Sequence, residues 1–306
     1  MFSTIIVLFT LLIFGINGYT PATPLIKNMY RGGIHFEGPH WTQSENALYW
    51  VDITGQRVHR LDADSGNITT REIGYGPVSW EKSLTKKKRV IYVFLIQRYI
   101  SLFYIFNSLS LQTGTMGKEV GNEVDLDQGT LYMLDQYNYL NPMEKLRPVS
   151  ISNGIAWTSD NKFMFYIDSP TRNIDVFDFD AEQGTIRNRR TLFSFKANNV
   201  TGVPDGMTID SDGNLWVACF NGGKVIKIDS RAGKLIEQHT LPAKKVTSVM
   251  WGGHDLSTLF VTTSRVGLST AELGLQPEAG SLFAIQGTGS KGLVENQFVF
   301  DDAANY

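Results

Sequence analysis

Asp205 stands between Pro204 and Gly206 near the start of a stretch, Thr201–Gly223, that alternates apolar runs with tight turns. A short strand pattern follows it, then the turn Asp212-Gly213-Asn214, the apolar run Leu215–Cys219 and the turn Asn221-Gly222-Gly223. Strand, turn, strand, turn, strand is a β-meander. This reading puts Asp205 on a tight loop, where a rigid sheet can aim its carboxylate. Proton transfer and cation ligation are the chemistries open to a group held that way. Competing arrangements are weaker. No serine lies in a Gly-x-Ser-x-Gly elbow. The five histidines, His40 and His59 among them, show no metal-ligand spacing. Cys219, the one cysteine, lies in an apolar run and reads as core. A single cysteine also excludes an internal disulfide and a cysteine-based zinc site.

The elements that must aim such a group recur along the chain. Ala47–Asp52, Phe163–Asp168, Asn214–Cys219 and Thr258–Thr263 are each short, aromatic and β-branched, and each follows a polar turn. The first three lead into a second strand pattern, Val58–Asp62, Ile174–Asp178 and Val225–Asp229. Apolar runs of about five residues suit strands buried between stacked sheets. With Asp52, Asp168, Cys219 and Thr263 taken as equivalent, the steps are 116, 51 and 44 residues. A repeat of roughly 40 to 50 residues with several strands each means propeller blades. The first step leaves room for two further blades. The expected fold is therefore all-β, a six-bladed β-propeller forming one domain over residues 19–306. No amphipathic helix separates the strands, which disfavours a parallel α/β arrangement.

The 306 residues are 42% hydrophobic and 19% charged, with a net charge of -2. That is a globular composition without the basic surplus of a nucleic-acid partner. Residues 1–18 read as a signal peptide: Ile5 to Phe14 is apolar apart from Thr10, and Gly15 and Gly18 offer a cleavage site. A secreted, extracellular protein is expected; an N-terminal membrane anchor is the alternative. Two sequons, Asn67-Ile68-Thr69 and Asn199-Val200-Thr201, permit glycosylation after export. Residues 82–112 break the pattern. The basic cluster Lys86–Arg89 runs into the apolar Val90–Leu111, with no glycine or proline from Lys82 to Thr113. A transmembrane or membrane-surface helix would fit that composition. Arg98 near the middle makes a span costly, and a span has no place inside a propeller. The preferred reading is that 82–112 is not native coding sequence, for example translated intron. No stable membrane span is expected in the mature chain.

Several motifs share one order and spacing: Phe36-Glu37-Gly38-Pro39-His40-Trp41, Gly114–Glu119, Ile151-Ser152-Asn153-Gly154-Ile155-Ala156-Trp157, Pro204-Asp205-Gly206-Met207 and Leu215–Cys219. Through them the chain resembles the regucalcin (senescence marker protein-30) family, which includes gluconolactonases and the luciferin-regenerating enzyme. The likeness runs over 30–81 and 113–295. It implies a six-bladed β-propeller with one divalent cation in its central channel. The implied metal ligands are Glu37, Asn153 and Asp205. The resemblance also makes Asp205 the general base and Glu119 a substrate contact. The implied reaction is hydrolysis of a small-molecule lactone.

Two carboxylates and an amide oxygen form a hard site that suits Ca²⁺, Mg²⁺ or Mn²⁺; Zn²⁺ is accepted in the family. Each residue also has a plainer reading. Glu37 before Gly38-Pro39 could be a solvated loop acid, and Asn153-Gly154 and Asp205-Gly206 could be turn pairs. One departure bears on substrate. Where the family carries an Asn-Arg-Phe-Asn-Asp-Gly-like motif that contacts the sugar, this chain has Tyr104-Ile105-Phe106-Asn107-Ser108-Leu109. Blades two and three are therefore expected to be disrupted. That leaves two alternatives to a sugar lactonase: a luciferin-regenerating-type hydrolase, and a non-catalytic calcium- or ligand-binding propeller.

Overall fold

The computed structural model describes residues 23–73, 106–107, 110–116, 119–120, 123–135 and 143–294. The expected signal peptide and residues 82–105 lie outside this set. Strand β1 (Leu25–Tyr30) is followed by β2 (Phe36–Thr42), β3 (Ala47–Asp52), β4 (Arg57–Asp62) and β5 (Ile68–Glu72). Then come β6 (Phe106–Asn107), β7 (Ser110–Gly114), a hairpin of β8 (Glu119–Val120) and β9 (Glu123–Val124), β10 (Gly129–Asp135) and β11 (Met143–Val149). The next eight strands are β12 (Ser152–Trp157), β13 (Phe163–Asp168), β14 (Asn173–Asp180), β15 (Thr185–Ser194), β16 (Val203–Ile209), β17 (Asn214–Phe220), β18 (Lys224–Asp229) and β19 (Lys234–Thr240). Last are β20 (Lys245–Gly252), β21 (Thr258–Ser264), helix α1 (Thr270–Leu275) and β22 (Leu282–Gln286).

Five four-stranded antiparallel sheets form among the described residues. They are β2–β5, then β6, β7, β10 and β11, then β12–β15, β16–β19, and finally β20, β21 and β22 with β1. In the last sheet Ile26 pairs with Ile285, so the beginning of the described chain completes the sheet built by its end. The four look-alike segments of the sequence are second strands, and the patterns after three of them are third strands. The expected ring has six blades; five such sheets are seen among the described residues, and residues 74–105 lie outside them. The strand pattern resumes at Phe106, inside the segment read as foreign, since Leu111 pairs with Leu134 in β10.

Burial decides which sequence pattern each strand carries. First and second strands such as β12 and β13 are buried almost throughout, whereas the fourth strand β5 is exposed at four of its five positions. Apolar cores lie between consecutive sheets. Phe165, Ile167 and Val176 meet Met207, Leu215 and Val217 across one junction. Trp216 and Val225 meet Val249, Val261 and Phe283 across the next. Met250, Phe260 and Leu282 meet Phe36, Trp41 and Trp50 across a third. Helix α1 departs from the sequence expectation of strands alone. Ser269 and Glu272 cap it reciprocally, and this Ser-x-x-Glu signature was legible in the chain.

One buried acid stitches a sheet to the end of the described chain. Asp210, fully buried, accepts hydrogen bonds from the indole Nε1 of Trp216 at 3.0 Å and the backbone N of Asn214 at 2.8 Å. Its Oδ2 also lies 3.5 Å from Lys227 Nζ, which in turn donates to Ser290 Oγ at 2.7 Å. Removing the carboxylate strands an indole N–H and a backbone N–H, and leaves the nearly buried ammonium to Glu237 and Ser290 alone. Asp210→Ala is expected to cost about 3 kcal/mol. Urea unfolding checks this as a lower midpoint at unchanged m-value; a shift under 1 kcal/mol would show that the network is dispensable.

Candidate metal centre

The repeat seen in the sequence meets at one level of the fold. Phe36 pairs with Asp52, Ser152 with Asp168, Pro204 with Cys219 and Val246 with Thr263. The next residue along each first strand is Glu37, Asn153, Asp205 or Thr247, so these four hold one equivalent position in four sheets. At that level every first strand slips register: between Glu37 and His40, Ser152 and Ile155, Pro204 and Met207, and Val246 and Ser248. Such a bulge adds an unpaired residue and re-aims a side chain out of the ladder. Asp205 therefore lies within β16 rather than on a loop ahead of it. Glu37 and Asn153 are strand residues too, neither a solvated loop acid nor a turn pair. A bulge and a tight turn draw on the same glycine-containing dipeptides, which is why the sequence pointed to turns.

The first strands run side by side, β12 beside β16, β16 beside β20, and β20 beside β2. Glycines permit the approach. A Cβ on Gly154 would sit 2.8 Å from the Asp205 carbonyl oxygen and 2.5 Å from Met207 Cβ. A Cβ on Gly206 would collide with Ser248 Oγ. The clasp that brings the strands to this level is also repeated. Asp52 accepts from the backbone N of Ile34 and of His35, each at 2.9 Å. Asp168 accepts from Ser150 N at 3.0 Å and Ile151 N at 2.8 Å. The final aspartate of a second strand thus holds the turn that delivers Glu37 or Asn153.

Three oxygen-bearing side chains come together here. Glu37, Asn153 and Asp205 are all buried. Burial pushes the Glu37 carboxyl up to about 7, against hydrogen bonds from Gly38 N and Ser248 that favour its charged form. Burial also raises Asp205 well above the carboxylate range, and the charge of Glu37 raises it further; hydrogen bonds from Asn153 and Gly206 N pull the other way. Two carboxyls that resist ionising beside each other are a site short of positive charge. The amide of Asn153 completes the set. Its Nδ2 donates to Ser169 Oγ at 2.9 Å, which fixes the amide's orientation. Its Oδ1 is left buried without a hydrogen-bond partner. An orphaned amide oxygen beside two carboxyls fits a hard divalent cation, and the charge sum would then be near neutral. Among the described residues no three of His, Cys, Asp and Glu gather, so the charged members of this set are the two acids alone.

Glu119 lies in the hairpin strand β8, paired with Val124, and its side chain is outside the description. Cys219 is core: burial pushes its thiol up to about 12. His59 is structural as well, stacked on Trp50 at 5.1 Å with Nδ1 2.8 Å from Thr70 Oγ1, and burial lowers it to about 4. Sequence reasoning missed Ser248. The same repeat alignment points to it, because it stands where the other three strands have Gly38, Gly154 and Gly206.

Known proteins fit this picture. The family model described as SMP-30/Gluconolactonase/LRE-like region matches residues 36–98 and 110–265. The first match runs into the segment read as foreign. Regucalcin of Gallus gallus is 37% identical over 293 residues, covering 87% of this chain and 94% of that protein. Among solved structures, a luciferin-regenerating enzyme superposes with a TM-score of 0.78 at 28% identity, covering 90% of this chain and 99% of the other. A calcium-binding protein, regucalcin from Agrobacterium tumefaciens, shares the fold with a TM-score of 0.71 at 19% identity, over 90% and 96% of the two chains.

Proposed function

The chain belongs to the SMP-30/gluconolactonase/LRE-like family, and from that premise we propose that it is a divalent-cation-dependent hydrolase of sugar lactones. One observation carries the reading. Glu37, Asn153 and Asp205 hold one equivalent position on three strands, and the Asn153 oxygen among them has no protein partner. These three residues would hold the ion. When bound, a divalent cation supplies Lewis acidity, polarising the lactone carbonyl and lowering the pKa of water.

The chain's own residues do the rest. Asp205 takes the proton of the attacking water as the new C–O bond forms at the carbonyl carbon. The ring C–O bond then breaks and the leaving alkoxide recovers a proton, giving the open hydroxy acid. Position suits Asp205 to this role better than basicity, since a carboxylate beside a cation has a lowered pKa. Glu37 and Asn153 would hold the ion, and the Glu37 carboxylate with that of Asp205 would neutralise it. Glu119 would accept hydrogen bonds from substrate hydroxyls. In this reading the protein is a six-bladed propeller, exported through the apolar leader at 1–18. The asparagines of both sequons are exposed, Asn67 just ahead of β5 and Asn199 in a turn, open to the modification that export would bring. Among the described residues no helix is long and apolar enough to cross a membrane.

A second reading, a luciferin-regenerating-type hydrolase, has support in the structural likeness that spans nine-tenths of this chain. The two share the centre and differ in substrate. The test is hydrolysis of a gluconolactone-type substrate by EDTA-stripped protein, with Ca²⁺, Mg²⁺, Mn²⁺ or Zn²⁺ added back. Restored turnover with at least one ion is expected. Ion binding without turnover on any lactone would leave the binding-propeller reading instead.

A further inference from the structure

Two buried hydroxyls do the same job at the two carboxylates. Ser169, in the turn after β13, donates from Oγ to the carbonyl oxygen of Pro204 at 2.7 Å. Thr247, in β20, donates from Oγ1 to the carbonyl oxygen of Phe36 at 2.6 Å, across 211 positions of sequence. Pro204 and Phe36 each immediately precede a carboxylate, Asp205 and Glu37. In both cases the hydroxyl belongs to one sheet and the carbonyl to the first strand of the next. Ser169 is 5% exposed and Thr247 fully buried, so water cannot substitute for either. Each hydroxyl is itself held. Ser169 Oγ accepts from Asn153 Nδ2 at 2.9 Å, and Thr247 Oγ1 lies 2.9 Å from Thr262 Oγ1.

We infer that Ser169 and Thr247 are positioning residues of the cation site, stapling the backbone that carries Asp205 and Glu37 to the neighbouring sheet. The physical reason lies in the bulge. Asp205 lies inside a stretch that has slipped register and Glu37 at the edge of one, where the ladder gives out, so the direction of each depends on what grips the backbone beside it. Ser169 has a second effect. By accepting from Nδ2 of Asn153 it helps fix an amide whose Oδ1 has no protein partner and is left for the ion; without it one of the bonds that hold the amide is lost. Thr247 occupies the ligand-equivalent position of the fourth first strand. There a hydroxyl turned to the protein takes the place of a side chain turned to the ion.

This rests on the metal reading above, and the experiment separates the two. Ca²⁺ is titrated by calorimetry into the EDTA-stripped full chain, as wild type, Ser169→Ala, Thr247→Val and Thr247→Ser. Melting of each stripped protein is recorded alongside. Outer groups that orient ligands are worth about 10–100-fold in metal affinity. Ser169→Ala and Thr247→Val are expected to weaken Ca²⁺ binding by that factor, while Thr247→Ser, which keeps the hydroxyl, stays near wild type. Ser169→Ala should add nothing further in an Asn153→Ala background beyond its effect on Asp205, so the two losses combine less than additively. Wild-type affinity in both hydroxyl-free variants overturns the inference. So does a loss confined to the melting of the stripped protein. Should Thr247→Val not fold, Ser169→Ala, which deletes a single oxygen, decides alone. A wild type that binds no divalent ion refutes the metal reading itself.

Discussion

Asp205→Asn is expected to abolish lactone hydrolysis, by about a thousandfold or more in kcat/KM, and at the same time to stabilise the stripped protein. The two effects have one cause. In the ion-free protein Asp205 is a buried carboxyl facing the charge of Glu37, and ionising it near neutral pH is opposed by both burial and repulsion. An amide of the same shape has no charge to desolvate. Stripped Asp205→Asn should therefore unfold later at pH 7.5, by about 2 kcal/mol or roughly 4 °C in Tm for a chain of this size. Added Ca²⁺, which should raise the melting temperature of the wild type, should no longer do so. Steady-state kinetics and thermal melts with and without ion read all three outcomes. Retained turnover in the variant would remove Asp205 from the mechanism. A stripped variant less stable than wild type would mean that the carboxylate serves the fold rather than the site.

The second large effect is a pH dependence that the ion reverses. The folded-state pKa of Glu37 is about 7, above its ordinary value of 4.5. Between those values the folded protein holds a proton that the unfolded chain has released. Stability of the stripped protein attributable to Glu37 is thus intact below pH 4.5 and falls as pH rises to 7, by about 3 kcal/mol in all. Asp205 is shifted in the same direction and adds to the fall. A divalent ion displaces these protons, so Ca²⁺ should stabilise little at pH 4.5 and strongly at pH 7.5.

Buried histidines pull the other way. Burial lowers His35 and His59 to about 4, so their contribution is lost as pH falls below the ordinary histidine range. The comparison that isolates the site is wild type against Glu37→Gln, in which the histidine effects cancel. In EDTA the variant should gain on the wild type steadily from pH 4.5 to 7, and Ca²⁺ should erase the gain. A difference that does not change with pH would show that Glu37 ionises freely and is no part of a charge-starved pocket.

How much of this was readable in the chain depends on the range over which each feature is encoded. The second strands were legible because five consecutive apolar residues after a polar turn are a local consequence of burial on both faces. Phe163–Asp168 and Thr258–Thr263 are examples, and all four such segments are second strands. The equivalence of Asp52, Asp168, Cys219 and Thr263 was legible for the same reason, and the cross-strand register agrees with it. Helix α1 was missed although Ser269 and Glu272 announce it, because a six-residue helix shows too little period to stand out. The pairing of β1 with β22 was not legible at all. It joins Leu25–Tyr30 to residues some 250 positions away, and nothing local to either strand names its partner.

The candidate site divides along the same line. Asp205 stood out from its own stretch of sequence, whereas Glu37 and Asn153 were reached only through the resemblance of their short motifs to a known family; taken singly, an acid or amide beside glycine reads as a loop acid or turn pair. Only the tertiary structure decided that Asn153 and Asp205 sit in bulges and Glu37 at the edge of one, that their strands lie side by side, and that the amide oxygen of Asn153 is left without a protein partner. It alone revealed the contacts of Ser169 and Thr247, whose hydroxyls have no motif of their own, and the hydrogen bond to Glu37 of Ser248, a position the repeat alignment marks without saying what it touches. Their role comes from contact with backbone or side chains of another sheet, as far as 211 residues away. A sequence records which groups a strand carries. Which groups meet is set by how sheets pack on one another, and that depends on every junction between them at once.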